Sequence, residues 1–272
     1  MVDCECEAWR LEALDFGVYG NSRIRKSIFM KWSYRIARIS GIDVRIHVTF
    51  LLLPAFFGFT GWQEAGWPGA VGEVSFIAAL FFCVLLHEFG HALAGRRYGI
   101  RTPDITLLPI GGVARMDQIP EKPSMELVIA VAGPAVNVAI ATVLAGILML
   151  TGGILAGPDN TLRVMLHNLL VVNCGLVIFN MIPAFPMDGG RVLRALLAMK
   201  FSHLGATRVA ARTGQVLACG FAVLGFFGNP MLMLIALFVF NGAQVELQYA
   251  VQQDQYEQML REIMARNDPR PF

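Results

Sequence analysis

Apolar residues in this chain do not recur at amphipathic spacing; they run in long blocks separated by short polar stretches. About six such blocks can be drawn, near residues 47–61, 71–95, 126–152, 162–182, 208–227 and 230–249, and their length predicts membrane-spanning helices. Trp62 and Trp67 stand at the outer end of the first block as interfacial aromatics. Residues 250–267 read as a polar helix extending the last span. One stretch breaks the helical pattern. Residues 103–116, PDITLLPIGGVARM, combine β-formers with Pro109 and the pair Gly111 and Gly112, which predicts a short strand or hairpin. Non-helical backbone at membrane depth must be received by protein or by a wet cavity. The expected fold is an all-α, six-helix membrane bundle with a short re-entrant β-hairpin after the second helix.

Composition strengthens this reading. Of 272 residues, 56% are hydrophobic and only 15% charged, and the mean hydropathy is +0.56. Soluble domains carry nearer a quarter charged residues. The net charge of +2 says little about nucleic acid, but the lack of a basic run interleaved with aromatics speaks against nucleic-acid binding. Arg23, Arg25, Lys26, Lys31, Arg35, Arg38 and Arg45 make residues 23–45 a cationic segment, read as a membrane-surface anchor. By the positive-inside rule it holds the N-terminus in the cytoplasm. Arg96, Arg97 and Arg101 after the second block agree with that orientation. So do Arg191, Arg194, Lys200, Arg208 and Arg212 between the fourth and fifth. An even number of spans returns the C-terminus to the same side. The expected divisions are a cytoplasmic segment 1–45, a catalytic membrane domain 46–249 and a cytoplasmic helix or tail 250–272. Residues 1–22 are acidic and unlike a signal peptide, so the first span is expected to serve as the insertion signal.

The chemistry concentrates in His87-Glu88-Phe89-Gly90-His91. Two histidines at i and i+4 share one helix face and can hold one zinc. The glutamate between them is placed to act as general base on an attacking water. The motif ends a wholly apolar run, residues 76–86, and ionisable groups inside a span are functional by default. With Arg96 at the cytoplasmic interface, His91 lies about 7 Å and His87 about 13 Å deeper, so the metal sits about 10 Å inside the membrane. Zinc needs a further protein ligand at that depth and an open position. The fourth block ends NMIPAFPMDGGR on the same side. There Asp188 is the candidate third ligand, with an interfacial turn or a helix cap as its alternative. Cys83 lies one turn before His87, but three ligands from successive turns spread over about 12 Å, too far for one ion.

The remaining candidates are less singular. Cys83, Cys174 and Cys219 lie in apolar stretches and read as packing, while Cys4 and Cys6 form no complete zinc set. His47, His167 and His203 read as ordinary polar contacts. Asn137, within AGPAVN of the third block, must find partners if buried. It could orient the re-entrant segment or steady an oxyanion, or form an inter-helix hydrogen bond, as expected of Asn173, Asn180 and Asn241. Ile110, Gly111, Gly112 and Val113 are candidate substrate-binding residues. A substrate unwound for attack exposes backbone groups, and a β-prone edge could accept them. A structural hairpin plugging the cytoplasmic mouth is the alternative.

Taken together, HEFGH in a span, PIGGVARMD after it, AGPAVN in the third block and PAFPMDGGR after the fourth resemble the site-2 proteases. The match covers residues 35–250 in order. The resemblance implies one zinc per chain, held by His87, His91 and Asp188, with Glu88 as general base. It implies cleavage, within the bilayer, of single-span membrane proteins such as membrane-tethered transcription factors or anti-sigma factors. It also implies a multi-pass protein of the cell membrane. Many members insert a PDZ domain, for which the stretch between Gly112 and Gly133 is too short. Close members append CBS domains, and a chain ending at Phe272 is expected to lack that regulation or to have lost it. The competing reading is a zinc transporter or a catalytically silent zinc-binding homologue. A transporter wants ionisable ligands along a path across both leaflets, whereas these cluster at one depth.

Overall fold

A computed structural model of the chain describes residues 32–117, 120, 122–151 and 161–266. Expectations for residues 1–31, for Cys4 and Cys6, for the turn 152–160 and for residues 267–272 lie outside the described residues. The chain divides into two compact units. One takes in the described residues through Val74 together with Asp104–Val113. The other takes in Ser75–Pro103 and the residues from Ala114 onward.

The first unit holds a four-stranded sheet in the order β1 (Ser33–Ile39), β2 (Ile42–His47), β3 (Asp104–Leu108), β4 (Gly111–Arg115). β1 and β2 pair antiparallel across a turn at Ser40 and Gly41, both at positive φ. β2 and β3 pair parallel, with Val44 opposite Ile105 and Ile46 opposite Leu107. Ile42, Val44, Ile105 and Leu107 are buried on this sheet. The sheet corrects the expected hairpin: the segment 103–116 does form two strands, but they extend a larger sheet begun by residues 33–47. It also gives the part of the cationic segment 23–45 that is described, from Ser33 on, a strand structure. Alternation of Ile42, Val44 and Ile46 is a strand period, and a buried apolar face outweighs the scattered arginines. Arg35, Arg38 and Arg45 instead lie 3.7 Å from Asp43 carboxylate oxygens.

A 3₁₀ turn, Val48–Leu51, leads into α1 (Leu52–Arg97). This helix is broken at Ala65 and at Gly66, whose φ of 65° suits a residue without Cβ. Unbroken, its 46 residues would span about 70 Å, yet the strands flanking it are hydrogen-bonded neighbours. The chain therefore reverses at the break. Glycines permit the close return: a Cβ on Gly61 would meet the Gly69 carbonyl oxygen at 2.6 Å.

The second unit carries the later limb of α1, from Ser75, and five further helices. These are α2 (Pro123–Leu150), α3 (Thr161–Asn180), α4 (Asp188–Ala198), α5 (His203–Phe227) and α6 (Met231–Arg266). α2 packs on α3 and α4, and α5 packs along α6. Among the described residues, buried clusters hold these helices in place, and two of them bear on the site. Cys83, Leu144 and Leu169 tie α1, α2 and α3 together. Phe185, Ala210, Ala211 and Ala243 seat the segment before α4 on α5 and α6. Cys83 packs as expected. Cys174 and Cys219 are exposed, contrary to expectation, because they sit on the outward apolar faces of α3 and α5.

Five helices among the described residues are long and apolar enough to cross a membrane: Val48–Arg97, Pro123–Leu150, Leu162–Asn180, His203–Phe227 and Met231–Arg266. Their outward faces carry large apolar side chains such as Phe56, Phe82, Val143, Ile178, Leu224 and Leu237. Such surfaces suit a lipid solvent rather than water. The short helix α4 had no counterpart in the block pattern, since its charges made it read as a loop.

Candidate metal centre

Helix geometry alone brings His87 and His91 together. One turn apart on α1, their rings lie edge to face with centroids 4.7 Å apart and Nε2 atoms 3.1 Å apart. Asp188 reaches them by a different route. α3 stops at Asn180, and the chain turns through Pro183 and Pro186, with a cis bond between Phe185 and Pro186, before α4 begins at Asp188. Gly189 and Gly190 let that turn close. A Cβ on Gly189 would meet the Met181 carbonyl oxygen at 2.5 Å, and one on Gly190 the Ala184 carbonyl carbon at 2.7 Å. The result places Asp188 Oδ2 3.2 Å from Nε2 of both His87 and His91. All three residues are buried.

Each histidine is held by its other ring nitrogen. His87 Nδ1 donates to Asn137 Oδ1 at 2.6 Å, and His91 Nδ1 donates to the Ile129 carbonyl at 2.7 Å. Asn137 Nδ2 in turn donates to Asn173 Oδ1 at 3.0 Å, and Asn173 Nδ2 donates to the Leu169 carbonyl at 2.8 Å. Both asparagines are fully buried. With the protons on Nδ1, both Nε2 lone pairs face the Asp188 carboxylate. Three electron-rich atoms at such separations repel one another unless a cation lies among them. Gly133 supplies the room: a Cβ there would sit 2.7 Å from His87 Nε2 and would collide with His91 Nε2. Two imidazoles and one carboxylate, all within 4.8 Å of one another, form a donor set that fits zinc with one position left open.

Glu88 is half-buried in the same turn of α1. His47 instead bonds Thr49, while His167 and His203 are exposed; none of these joins the cluster. Ile110, Gly111, Gly112 and Val113 belong to the other unit, at the turn into β4 and along it. Ile110 and Val113 are exposed there, and β4 forms one edge of its sheet. The sequence reading missed several supports of the site. Gly133 was given no role at the site, and no side chain announces the Ile129 carbonyl. Asn173 was expected to be inter-helix glue, and it is, but its partner is the residue that holds His87.

Comparison with known proteins agrees with this geometry. A family model described as Peptidase family M50 matches residues 75–166 and 156–224. A zinc metalloprotease of Methanocaldococcus jannaschii is 40% identical over 219 residues, covering 80% of this chain and 61% of that one. Stage IV sporulation protein FB of Bacillus subtilis is 24% identical over 153 residues, covering 56% of this chain and 50% of its own length. The chain thus spans about three-fifths or less of these curated relatives. The solved structure of the site-2 protease from Methanocaldococcus jannaschii superposes with a TM-score of 0.58 at 37% identity, over 79% of this chain and 95% of that chain. The donor set and these relatives together identify the cofactor as zinc. Because the family model spans the helices that carry the buried donors, and a solved member aligns along nearly its whole length, the chain belongs to peptidase family M50, the site-2 proteases.

Proposed function

We propose that this protein is an intramembrane zinc endopeptidase that hydrolyses peptide bonds in or near the transmembrane segments of single-span membrane proteins. The observation that supports it best is the convergence of His87, His91 and Asp188 at the end of an apolar helix. When bound, zinc supplies Lewis acidity, which activates water near neutral pH and polarises a carbonyl. The chain's own residues do the rest. Glu88 accepts the proton of the attacking water and returns it to the leaving amine. Asn137 keeps the His87 ring and tautomer fixed; with Oδ1 and Nδ2 engaged by His87 and Asn173, we assign it orientation rather than substrate contact. Burial of the cluster keeps bulk water scarce, which strengthens every charge interaction inside it.

The reversal within α1 supports reading Val48–Arg97 as two spans, for six in all, with both termini cytoplasmic by the arginine asymmetry. The open edge of β4 supports strand addition. A substrate unwound near its scissile bond would offer its freed backbone groups to this edge around Ile110, Gly111, Gly112 and Val113. Substrates of this chemistry include membrane-tethered transcription factors and anti-sigma factors. Proline at Val113 should slow their cleavage, and normal rates in that variant would remove the strand-addition part of the reading.

The experiment that tests the activity is cleavage of single-span substrates co-reconstituted in vesicles, with wild type beside Glu88→Gln. Glu88→Gln should lower turnover by about 10²- to 10⁴-fold while zinc content stays unchanged. Comparable rates for the two proteins would show that another group activates water.

A further inference from the structure

Buried charges on α2 and α4, apart from the metal centre, form a second cluster. Arg194 on α4 donates from Nε and Nη2 to Glu126 Oε1 on α2, at 2.7 and 2.6 Å. Its Nη1 lies 3.1 Å from Glu246 Oε2 on α6. The guanidinium also stacks over the Phe185 ring, 5.0 Å from its centroid. Arg194, Glu126 and Phe185 are all buried. A buried ion pair is a poor way to add stability, since apolar residues of similar volume often do as well or better. Its value lies in fixing a geometry, and this one acts on the segment that carries Asp188.

α4 has only eleven residues, too few to be stable alone, and its roll about its own axis is set from outside. Asp188 begins it, and Arg194 lies six residues on, which at about 100° per residue is about 120° round the helix from Asp188. Phe185 belongs to the turn just before Asp188. One guanidinium therefore grips both the turn and the helix on either side of the ligand, and anchors them to α2.

The same helix holds the other two ligands. Glu126, Ile129, Gly133 and Asn137 follow one another at spacings of three and four residues, one face of α2. Asn137 fixes His87, the Ile129 carbonyl fixes His91, and Gly133 gives both rings their room. We propose that Arg194 and Glu126 are positioning residues for Asp188, so that one face of α2 aligns all three metal ligands. This rests on the reading of the cluster as a zinc site.

The test is zinc affinity of the full chain in detergent, by chelator competition, with the visible spectrum of the cobalt-substituted protein as a second readout. Removing Arg194 alone would leave Glu126 buried and unpaired, so the informative variant is the neutral double change Glu126→Gln with Arg194→Met. It should bind zinc about 10- to 100-fold more weakly than wild type and give an altered cobalt spectrum. Arg194→Lys, which keeps the charge but not the fork, should fall between them. In an Asp188→Ala background the double change should cause no further loss, because its effect passes through Asp188. Wild-type affinity and spectrum in the folded double variant would overturn the proposal, as would an undiminished loss in the Asp188→Ala background. If wild type itself binds no zinc, it is the metal reading that fails.

Discussion

The two regions that supply the proposed metal ligands are built on opposite plans. His87 and His91 sit one turn apart in a long helix, and the regular spacing of the backbone delivers them to one point. Asp188 stands at the mouth of an eleven-residue helix after a proline-broken turn. No regular helix spacing fixes it there. Its place depends on glycines pressed against backbone carbonyls, on Phe185 seated against α5 and α6, and on Arg194 reaching α2. One ligand pair is a property of secondary structure; the third ligand is a property of tertiary structure. A site made this way forms completely only when the bundle is assembled.

The largest effect that can break this comparison comes from deleting ligands on each side. The double change His87→Ala and His91→Ala should abolish zinc binding and cleavage. Asp188→Ala should abolish cleavage but leave weak zinc binding, because the helix still presents two imidazoles. Zinc titration of both proteins measures this, and equal loss in the two would show that the histidine pair has no independent organisation.

A smaller effect should come from crowding the pair. Gly133→Ala places a methyl against both Nε2 atoms and should weaken zinc binding by at least about tenfold. Gly146→Ala, on the same helix with nothing within 4 Å of the added carbon, should bind zinc like wild type. Equal affinities for the two variants would mean that the rings move aside freely.

Smaller again is the loss of an outer hydrogen bond. Asn137→Ala frees His87 Nδ1 and leaves the ring loose, for an expected weakening of zinc binding at the low end of about 10- to 100-fold. Asn173→Ala should do less, since it acts through Asn137. If Asn173→Ala proves the more damaging, the order of the relay is wrong.

The same contrast explains what the sequence made legible. His87, Glu88 and His91 could be read directly, because an i, i+4 pair needs only a helix, and an apolar run announced the helix. Asp188 could be found by depth and side, given the prolines and glycines around it. The turn that carries it, and the helix α4 after that turn, could not be drawn from pattern. Arg191 and Arg194 counted only as charges on the cytoplasmic side, although Arg194 is buried against Glu126. Pairing across distant helices leaves no local signature. The sheet was missed for another reason. Ile42, Val44 and Ile46 alternate as a strand should, but the arginines around them suggested a membrane surface. Asp43, which lies close to three of those arginines, was the overlooked clue.

If a helix turn and a distant helix start meet on one metal, the metal's own neighbours must show it. X-ray absorption at the zinc edge of the purified, zinc-loaded chain reads those neighbours, with Asp188→Ala measured alongside. The expected result is nitrogen and oxygen neighbours alone in the wild type, two of them imidazole, and one oxygen neighbour fewer or replaced by solvent in the variant. A sulfur neighbour at about 2.3 Å, or an Asp188→Ala spectrum indistinguishable from wild type, would contradict a site shared by α1 and α4.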